Sequence, residues 1–167
     1  MKLLVIRHAI AEDREAHAAS GHDDALRPLT VQGARKMKRG ARGLRQIVPA
    51  IDTLVSSPYT RAFETAEIVR REYGMDRVET SRALEPTVAV ADAITALQSV
   101  QGDVVAIVGH EPQLSRLVTY LISGLDQSAV ELKKGSACLV EFEGLPRAGG
   151  GTLMWSIRPA VLRDLAG

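Results

Sequence analysis

The sequence predicts an α/β protein, with helices on both faces of a mostly parallel sheet of about six strands. Short apolar runs alternate along the chain with segments whose apolar residues recur every three or four positions, which is typical of strands followed by helices. The last two strand-like segments flank a glycine-rich stretch, which predicts an antiparallel C-terminal hairpin. A length of 167 residues fits one domain, so residues 1–167 are expected to fold as a single unit.

The first predicted strand is Lys2–Ile6, whose uninterrupted Leu, Val and Ile run indicates burial on both faces. Residues 11–24 are polar and lack a period, so we expect a loop there. Thr30 has the side chain of a helix N-cap, and apolar residues at helical spacing follow it to about residue 47. The sequence therefore predicts a strand, a loop and a helix in this order.

The next part of the chain repeats the strand–helix pattern. Asp52–Val55 is a predicted strand, and a weak third strand is expected at Arg77–Thr80. Ser57 and Pro58 suit an N-cap and a first helical position, so the intervening helix is expected to begin there and to end near Gly74.

The last part of the chain contains the clearest strand, Val104–Val108. It is preceded by a predicted helix over Val88–Val100 and followed by one that opens at Pro112. The predicted hairpin pairs Ala137–Phe142 with Thr152–Ile157.

The charge balance excludes several function classes. Lys and Arg total 21 and Asp and Glu total 20, a net charge of +1, which gives no reason to expect a nucleic-acid or membrane partner.

Cys138 is the only cysteine, so neither an internal disulfide nor a cysteine-based zinc site is expected. No apolar run is long enough for a transmembrane helix, and the first one stops at Arg7, too soon for a signal-peptide core. We expect a cytoplasmic protein.

Ionisable side chains follow the carboxyl ends of the four strands predicted to be parallel. In such sheets, ligands bind beyond those ends, so these side chains are expected to meet. They are Arg7 and His8, Arg61, Glu85, and His110 and Glu111.

His8 and Arg7 have the residue types that phosphoryl transfer needs. A neutral imidazole can attack phosphorus when one ring nitrogen donates to a carbonyl and the other points outward. The planar guanidinium of Arg7 suits phosphoryl oxygens. A lone histidine at a strand end is usually structural, and it is the neighbouring residues that favour the catalytic hypothesis.

Arg61 lies in the first turn of a predicted helix, where a cation opposes the helix dipole at a cost of about 0.3–1 kcal/mol. A phosphate at the helix N-terminus would offset that cost, while an ion pair or an exposed side chain is the ordinary alternative. His110 is a candidate donor to a phosphoryl oxygen, with a capping role as the alternative. Two arginines and two histidines around one point predict a phosphoryl-transfer site with a histidine nucleophile.

Two carboxylates are candidates for a general acid. Glu85 precedes Pro86 in a predicted loop, where a solvated side chain is the usual alternative. Glu111 also fits an ordinary favourable charge at a helix start. The residue types do not decide between them.

Short stretches across the chain resemble the histidine phosphatase superfamily, the phosphoglycerate-mutase-like group. Within it, the chain is most similar to the small bacterial phosphohistidine phosphatases of the SixA type. The matching stretches, in family order, are Leu4–Ala9, Arg27–Thr30 with Gly33, Ser56–Ala62 with Thr65, Leu84–Glu85 and Val108–Pro112.

The resemblance implies a three-layer α/β/α sandwich with a mixed sheet, formed by a single histidine phosphatase domain over residues 1–167. It implies that His8 is phosphorylated during turnover and that Arg7, Arg61 and His110 bind the phosphate. Glu85 falls where many members have their general acid. The superfamily often has Arg-His-Gly where this chain has Ala9, and the SixA-like branch is similar in accepting alanine.

The resemblance further implies a metal-independent phosphatase without a cofactor that acts on phosphohistidine in a signalling protein, such as a histidine-phosphotransfer domain. The chain has little spare length for a lid, which suits a bulky substrate. The alternatives are a phosphatase of small phosphate esters and a catalytically inactive phosphate-binding module. A run of basic residues without an acid, mostly on the first predicted helix, is either a solvated face or a docking surface for an acidic protein; it comprises Arg27, Arg35, Lys36, Lys38, Arg39, Arg42 and Arg45.

Overall fold

The computed structural model describes residues 1–167 and places six strands in one sheet. The strands are β1 (Lys2–Arg7), β2 (Thr53–Ser56), β3 (Glu79–Thr80), β4 (Val104–Gly109), β5 (Ala137–Glu141) and β6 (Thr152–Ile157). Their spatial order is β3-β2-β4-β1-β5-β6. The first four are mutually parallel, while β5 runs antiparallel to both β1 and β6. The mixed sheet and the C-terminal hairpin are thus confirmed.

Helices cover both faces of the sheet. They are α1 (Arg14–Ala19), α2 (Val31–Ile47), α3 (Thr60–Tyr73), α4 (Val90–Leu97), α5 (Gln113–Ser123) and α6 (Pro159–Asp164). Alternate residues of β1 point to opposite layers: Leu3 and Val5 join a core with α4 and α5, and Leu4 and Ile6 join one with α2, α3 and α6. All four are fully buried, each stabilising the fold by about 1.5–3 kcal/mol, which explains the uninterrupted apolar run.

The strand register determines where the site forms. Arg7 at the end of β1 pairs with Gly109 at the end of β4, so His8 and His110 leave the sheet side by side. Strand β2 ends on the same edge, because Ser56 is in register with Val108 of β4. The carboxyl ends of the three central strands therefore meet.

Residues 11–24 were expected to form a loop, and this was wrong. They contain α1, capped by the Asp13 carboxylate on the backbone N–H of Ala16, and the start of a 3-10 turn over Asp24–Leu26. No residue of α1 is buried. A helix without a buried face has no apolar periodicity for a sequence to display.

The predicted start of α3 at Ser57 and Pro58 was also wrong, since the helix begins at Thr60 with Tyr59 as its N-cap residue and no side-chain cap. The Ser57 hydroxyl is 2.8 Å from His110 Nε2 instead. Helix α4 is shorter than the predicted Val88–Val100 at both ends.

Helix α6 was not predicted, because its six residues are too short for a clear period. It packs along α2 at Gly40 and Gly43. A Cβ on Gly43 would overlap the carbonyl of Leu162, so glycine is needed there for the helices to approach. No helix of the protein combines the length and apolar character that a membrane crossing needs.

Candidate active site

Four of the residues singled out in the sequence converge at the carboxyl edge of the sheet. Arg7 ends β1, His8 follows it, His110 follows β4, and Arg61 lies in the first turn of α3. The ring centroids of His8 and His110 are 5.2 Å apart. Tyr59 lies between His110 and Arg61, since its ring is 5.2 Å from that of His110 and 5.1 Å from the Arg61 guanidinium carbon.

The ring of His8 is held in one tautomer by the backbone. Its Nδ1 lies 2.7 Å from the carbonyl oxygen of Ala9. Because a carbonyl only accepts, Nδ1 carries the proton and Nε2 keeps its lone pair. The backbone is fixed on both sides, by a bond from the His8 N–H to Gly109 and one from the Ala9 N–H to the Thr65 hydroxyl.

Burial keeps the His8 ring neutral. It lowers the pKa of His8 to about 3, and the positive charges of Arg61 and Arg7 contribute to the same shift. The lone pair on Nε2 is therefore available at physiological pH.

His110 is buried beside this ring and is also neutral. Its pKa is lowered to about 2, first by burial and then by His8 and Arg61. Its Nε2 makes the hydrogen bond to Ser57, while its Nδ1 is buried and has no partner. Nδ1 is therefore the ring atom still free to bind a further group.

The two arginines are each held through terminal nitrogens of the guanidinium, one in Arg7 and two in Arg61. Arg7 donates to the Leu132 carbonyl at 2.7 Å. Arg61 donates to the backbone carbonyl of Asp24 at 2.8 Å and to its carboxylate at 3.1 Å. The Nε atoms of both arginines are buried and have no partner.

Unsatisfied polar atoms concentrate at this edge of the sheet. Of the five buried side-chain nitrogen and oxygen atoms without a hydrogen bond, three belong to Arg7, Arg61 and His110. Buried polar groups are normally paired, so orphaned atoms call for an explanation. An anion that accepts from these nitrogens is the simplest one.

Two further cations contribute to the site and were not predicted as site residues. Arg27 is buried and bonds the Asp24 carboxylate at 2.9 Å. Lys134 lies in the loop before β5, and its pKa is lowered by partial burial and by the charges of Arg7, Arg27 and Arg61. Arg27 stands in one of the stretches that carry the family resemblance, whereas Lys134 has no sequence signal because it follows no parallel strand.

Asp24 is the acidic counterpart of this cluster. Its carboxylate contacts Arg61, Arg27 and Arg14. Burial acts to raise the pKa of Asp24, but the hydrogen bond from Arg27 and the charges of Arg61 and Arg27 outweigh it, so the pKa lies below its usual value. Asp24 thus partly offsets Arg61, Arg27 and Arg14, while Glu111 and Glu131 act on Arg7, and the cluster of cations is suited to a multiply charged anion.

The candidate acids lie in different surroundings. The Glu85 carboxylate is paired with the exposed Arg82 at 3.1 Å and makes no hydrogen bond to His8 or His110. Glu111 accepts a bond from the Ser115 N–H at 3.2 Å. Burial raises the pKa of Glu111 above its usual value, although Arg7 opposes this.

Comparison with known proteins identifies the class of protein. The family model of the histidine phosphatase superfamily (branch 1) matches residues 3–88. The chain belongs to this superfamily, a family of phosphatases, and is thus related to hydrolases of phosphoryl groups.

Its likeness to SixA spans the whole chain. The phosphohistidine phosphatase SixA of Escherichia coli is 27% identical over 98% of this chain and 97% of its own length. The structure of the protein histidine phosphatase SixA complexed with tungstate superposes with a TM-score of 0.82 at 24% identity, covering 97% of this chain and 99% of that one. A phosphoserine phosphatase of Entamoeba histolytica, solved as a mutant with phosphoserine, has a TM-score of 0.69 at 15% identity over 96% and 98% of the two chains.

Proposed function

We propose that this protein is a phosphohistidine phosphatase that carries the phosphoryl group on Nε2 of His8 during turnover. One observation supports this most directly: the bond from His8 Nδ1 to the Ala9 carbonyl leaves Nε2 as a neutral nucleophile inside a cationic site.

The reaction takes two displacements at phosphorus. In the first, Nε2 of His8 attacks, a new N–P bond forms, and the N–P bond to the substrate imidazole breaks as that imidazole takes a proton from solvent. In the second, water attacks phosphorus and a P–O bond forms, the bond to Nε2 breaks with its electron pair returning to the ring, and the proton of the water leaves with inorganic phosphate or passes to solvent. Arg7, Arg61 and His110 donate to the non-bridging oxygens in both transition states.

The proposed chemistry needs neither metal nor cofactor. The positive charge that a metal would bring to the phosphoryl oxygens is supplied by Arg7, Arg61, Arg27 and Lys134. A chelator is therefore expected to leave the rate unchanged, and loss of activity restored by magnesium would contradict this part of the proposal.

We propose phosphohistidine on a signalling protein of the cytoplasm, for example a histidine-phosphotransfer domain, as the substrate. The full-length similarity to the phosphohistidine phosphatase SixA supports this class. The second candidate is a small phosphate ester, which the shared fold with a phosphoserine phosphatase and the raised pKa of Glu111 favour. An inactive phosphate-binding module is the third possibility.

The covalent intermediate gives the decisive test. Rapid quenching of a reaction with ³²P-labelled phosphohistidine peptide is expected to trap acid-labile, base-stable label on the protein, and mass spectrometry to place it on His8. His8→Ala should abolish both trapping and turnover, whereas the exposed His22→Ala should change neither. Full activity of His8→Ala would overturn the mechanism, and anion binding without any turnover would favour the inactive module.

A further inference from the structure

A groove of about 180 Å³ leads away from the site between α2, α6 and the loop before β5. It begins at Ala9, the residue after the nucleophile. Lys36 of α2, Lys134 of the loop and Arg163 of α6 line it. A wider depression of about 640 Å³ on the α2–α6 face shares Lys36 and Arg163 with the groove, and its other basic lining residues are Arg35, Lys38, Arg39 and Arg42 of α2. We call the four basic residues Lys36, Arg39, Lys134 and Arg163 the basic track.

The basic residues of α2 are neutralised on one side of the helix only. On the side facing α3, Lys38 and Arg42 pair with the Glu72 carboxylate at 3.9 and 3.2 Å. On the side facing α6, Lys36 and Arg39 have no carboxylate within 4 Å, and Arg39 donates to the backbone carbonyl of Arg163 at 3.0 Å. Of these four residues, only the unneutralised Lys36 lines the groove that reaches Ala9, the residue after His8.

We infer that the basic track docks an acidic segment next to the phosphohistidine of a protein substrate. This inference rests on the proposed function, because the track can dock a substrate for reaction only if His8 is the nucleophile. Like charges brought together along a groove attract a polyanion and raise its rate of encounter. A phosphohistidine seated over His8 would place its flanking residues along this groove.

The observations favour a protein over a nucleic acid. The chain as a whole has a net charge of only +1, without the general basic excess of nucleic-acid-binding domains. The groove beside Ala9 is narrow, which suits an extended peptide and not a duplex.

Matched double variants test the track. Two phosphohistidine peptides of equal length, one flanked by glutamates and one by lysines, are compared as substrates of the wild type, Lys36→Gln/Arg39→Gln and Lys38→Gln/Arg42→Gln. The two variants lose the same charge from the same helix, but Lys38 and Arg42 are paired with Glu72, whereas Lys36 and Arg39 have no carboxylate partner. Lys134 is left intact, because it also acts on the pKa of His8.

The wild type is expected to prefer the glutamate-flanked peptide. Lys36→Gln/Arg39→Gln should raise KM for that peptide about three- to tenfold and remove most of the preference, as loss of two exposed charge contacts predicts. Lys38→Gln/Arg42→Gln should keep it. Phosphoramidate, which has no flanking residues, should be hydrolysed equally by all three proteins.

Equal KM changes in both double variants would contradict docking at the basic track. So would a wild type that hydrolyses both peptides equally well. Tighter binding of a DNA duplex than of the unphosphorylated glutamate peptide, lost in Lys36→Gln/Arg39→Gln, would replace the protein partner by a nucleic acid. Failure of the proposed function would look different: neither peptide nor phosphoramidate would be hydrolysed by any of the proteins.

Discussion

The chemistry of the site depends on two imidazole rings that stay neutral. His8 and His110 are buried among positive charges, so protonation of either ring is less favourable than it would be in water. A neutral His8 can attack phosphorus. In a neutral His110, Nε2 is bonded to Ser57 and Nδ1 has no partner. Nδ1 is therefore the nitrogen left to bind the phosphoryl group.

Neutral histidines also make stability depend on pH. Above the unfolded-state pKa of about 6.5 neither state binds these protons, and their contribution to stability is fully present. As the pH falls from 6.5 toward the folded-state pKa of about 3 for His8, the unfolded chain takes up protons that the native state refuses, so stability is lost. The melting temperature should therefore drop between pH 7 and pH 5 by less in His8→Asn than in the wild type. His22→Asn, at an exposed position, should keep the wild-type slope; an equally steep slope in His8→Asn would contradict a neutral His8.

Asp24 is expected to position Arg61 for the phosphoryl group. Its backbone and carboxylate hold two guanidinium nitrogens and leave Nε unpartnered. Asp24→Asn should lower kcat about tenfold, a part of the loss of roughly 10²-fold or more expected for Arg61→Ala. The substitution also removes a negative charge from the site, so the Kd for inorganic phosphate should not rise. Unchanged kcat would mean that Arg61 is positioned by α3 alone.

At the scale of elements, the packing of α6 on α2 shapes the wall of the basic track. The two glycines of α2 in this contact differ in how much room they leave. A Cβ at Gly43 would overlap the Leu162 carbonyl, whereas one at Gly40 would make an ordinary 3.9 Å contact with the Leu162 side chain.

Paired glycine substitutions measure this contact. Gly43→Ala is expected to lower the melting temperature, because α6 must move away from α2. Gly40→Ala should leave it unchanged or raise it, since alanine is favoured over glycine inside a helix by up to about 1 kcal/mol. Thermal unfolding followed by circular dichroism measures the melting temperatures of the two variants and the wild type. Equal melting temperatures for both variants would show that α6 is loosely attached.

At the scale of the whole molecule, the positions of the candidate acids bear on which leaving groups the proposed reaction can expel. Imidazole, with a pKa of about 6.5, departs with little help, whereas an alkoxide needs a proton from a positioned acid worth ~10²–10⁴-fold. The structure pairs Glu85 with Arg82, and the ring hydrogen bonds of the two histidines go to Ala9 and Ser57 instead. An enzyme so built should favour phosphohistidine.

Substitution of the acids tests this preference. Wild-type kcat/KM for a phosphohistidine peptide is expected to exceed that for an alkyl phosphate by a wide margin, and Glu85→Gln to widen the margin by slowing only the ester if Glu85, despite its pairing with Arg82, is the donor. Glu111→Gln serves as the comparison, because the ester rate should fall most in whichever variant lacks the donor. Equal wild-type rates on both substrates would favour the small-ester phosphatase, and equal slowing of both by Glu85→Gln would give Glu85 a structural role.

The local sequence was enough to predict the sheet and four of the convergent residues. Apolar runs buried on both faces mark β1 and β4, and the carboxyl ends of parallel strands meet at one edge of the sheet. Arg7, His8, Arg61 and His110 lie just at or beyond such ends, so they could be placed together in advance. Helix α1 and helix α6 escaped prediction, since one buries nothing and the other is too short to show a period.

Only the tertiary structure decided which groups surround those four residues. Asp24, Arg27 and Lys134 reach the site from loops whose positions depend on long-range contacts, such as the bonds from the Gly135 N–H to the carbonyls of Arg7 and His8. The bond of Ser57 to His110 and the one-sided neutralisation of α2 likewise arise between residues distant in sequence. Periodicity encodes which face of an element is buried; it does not encode which charge lies opposite.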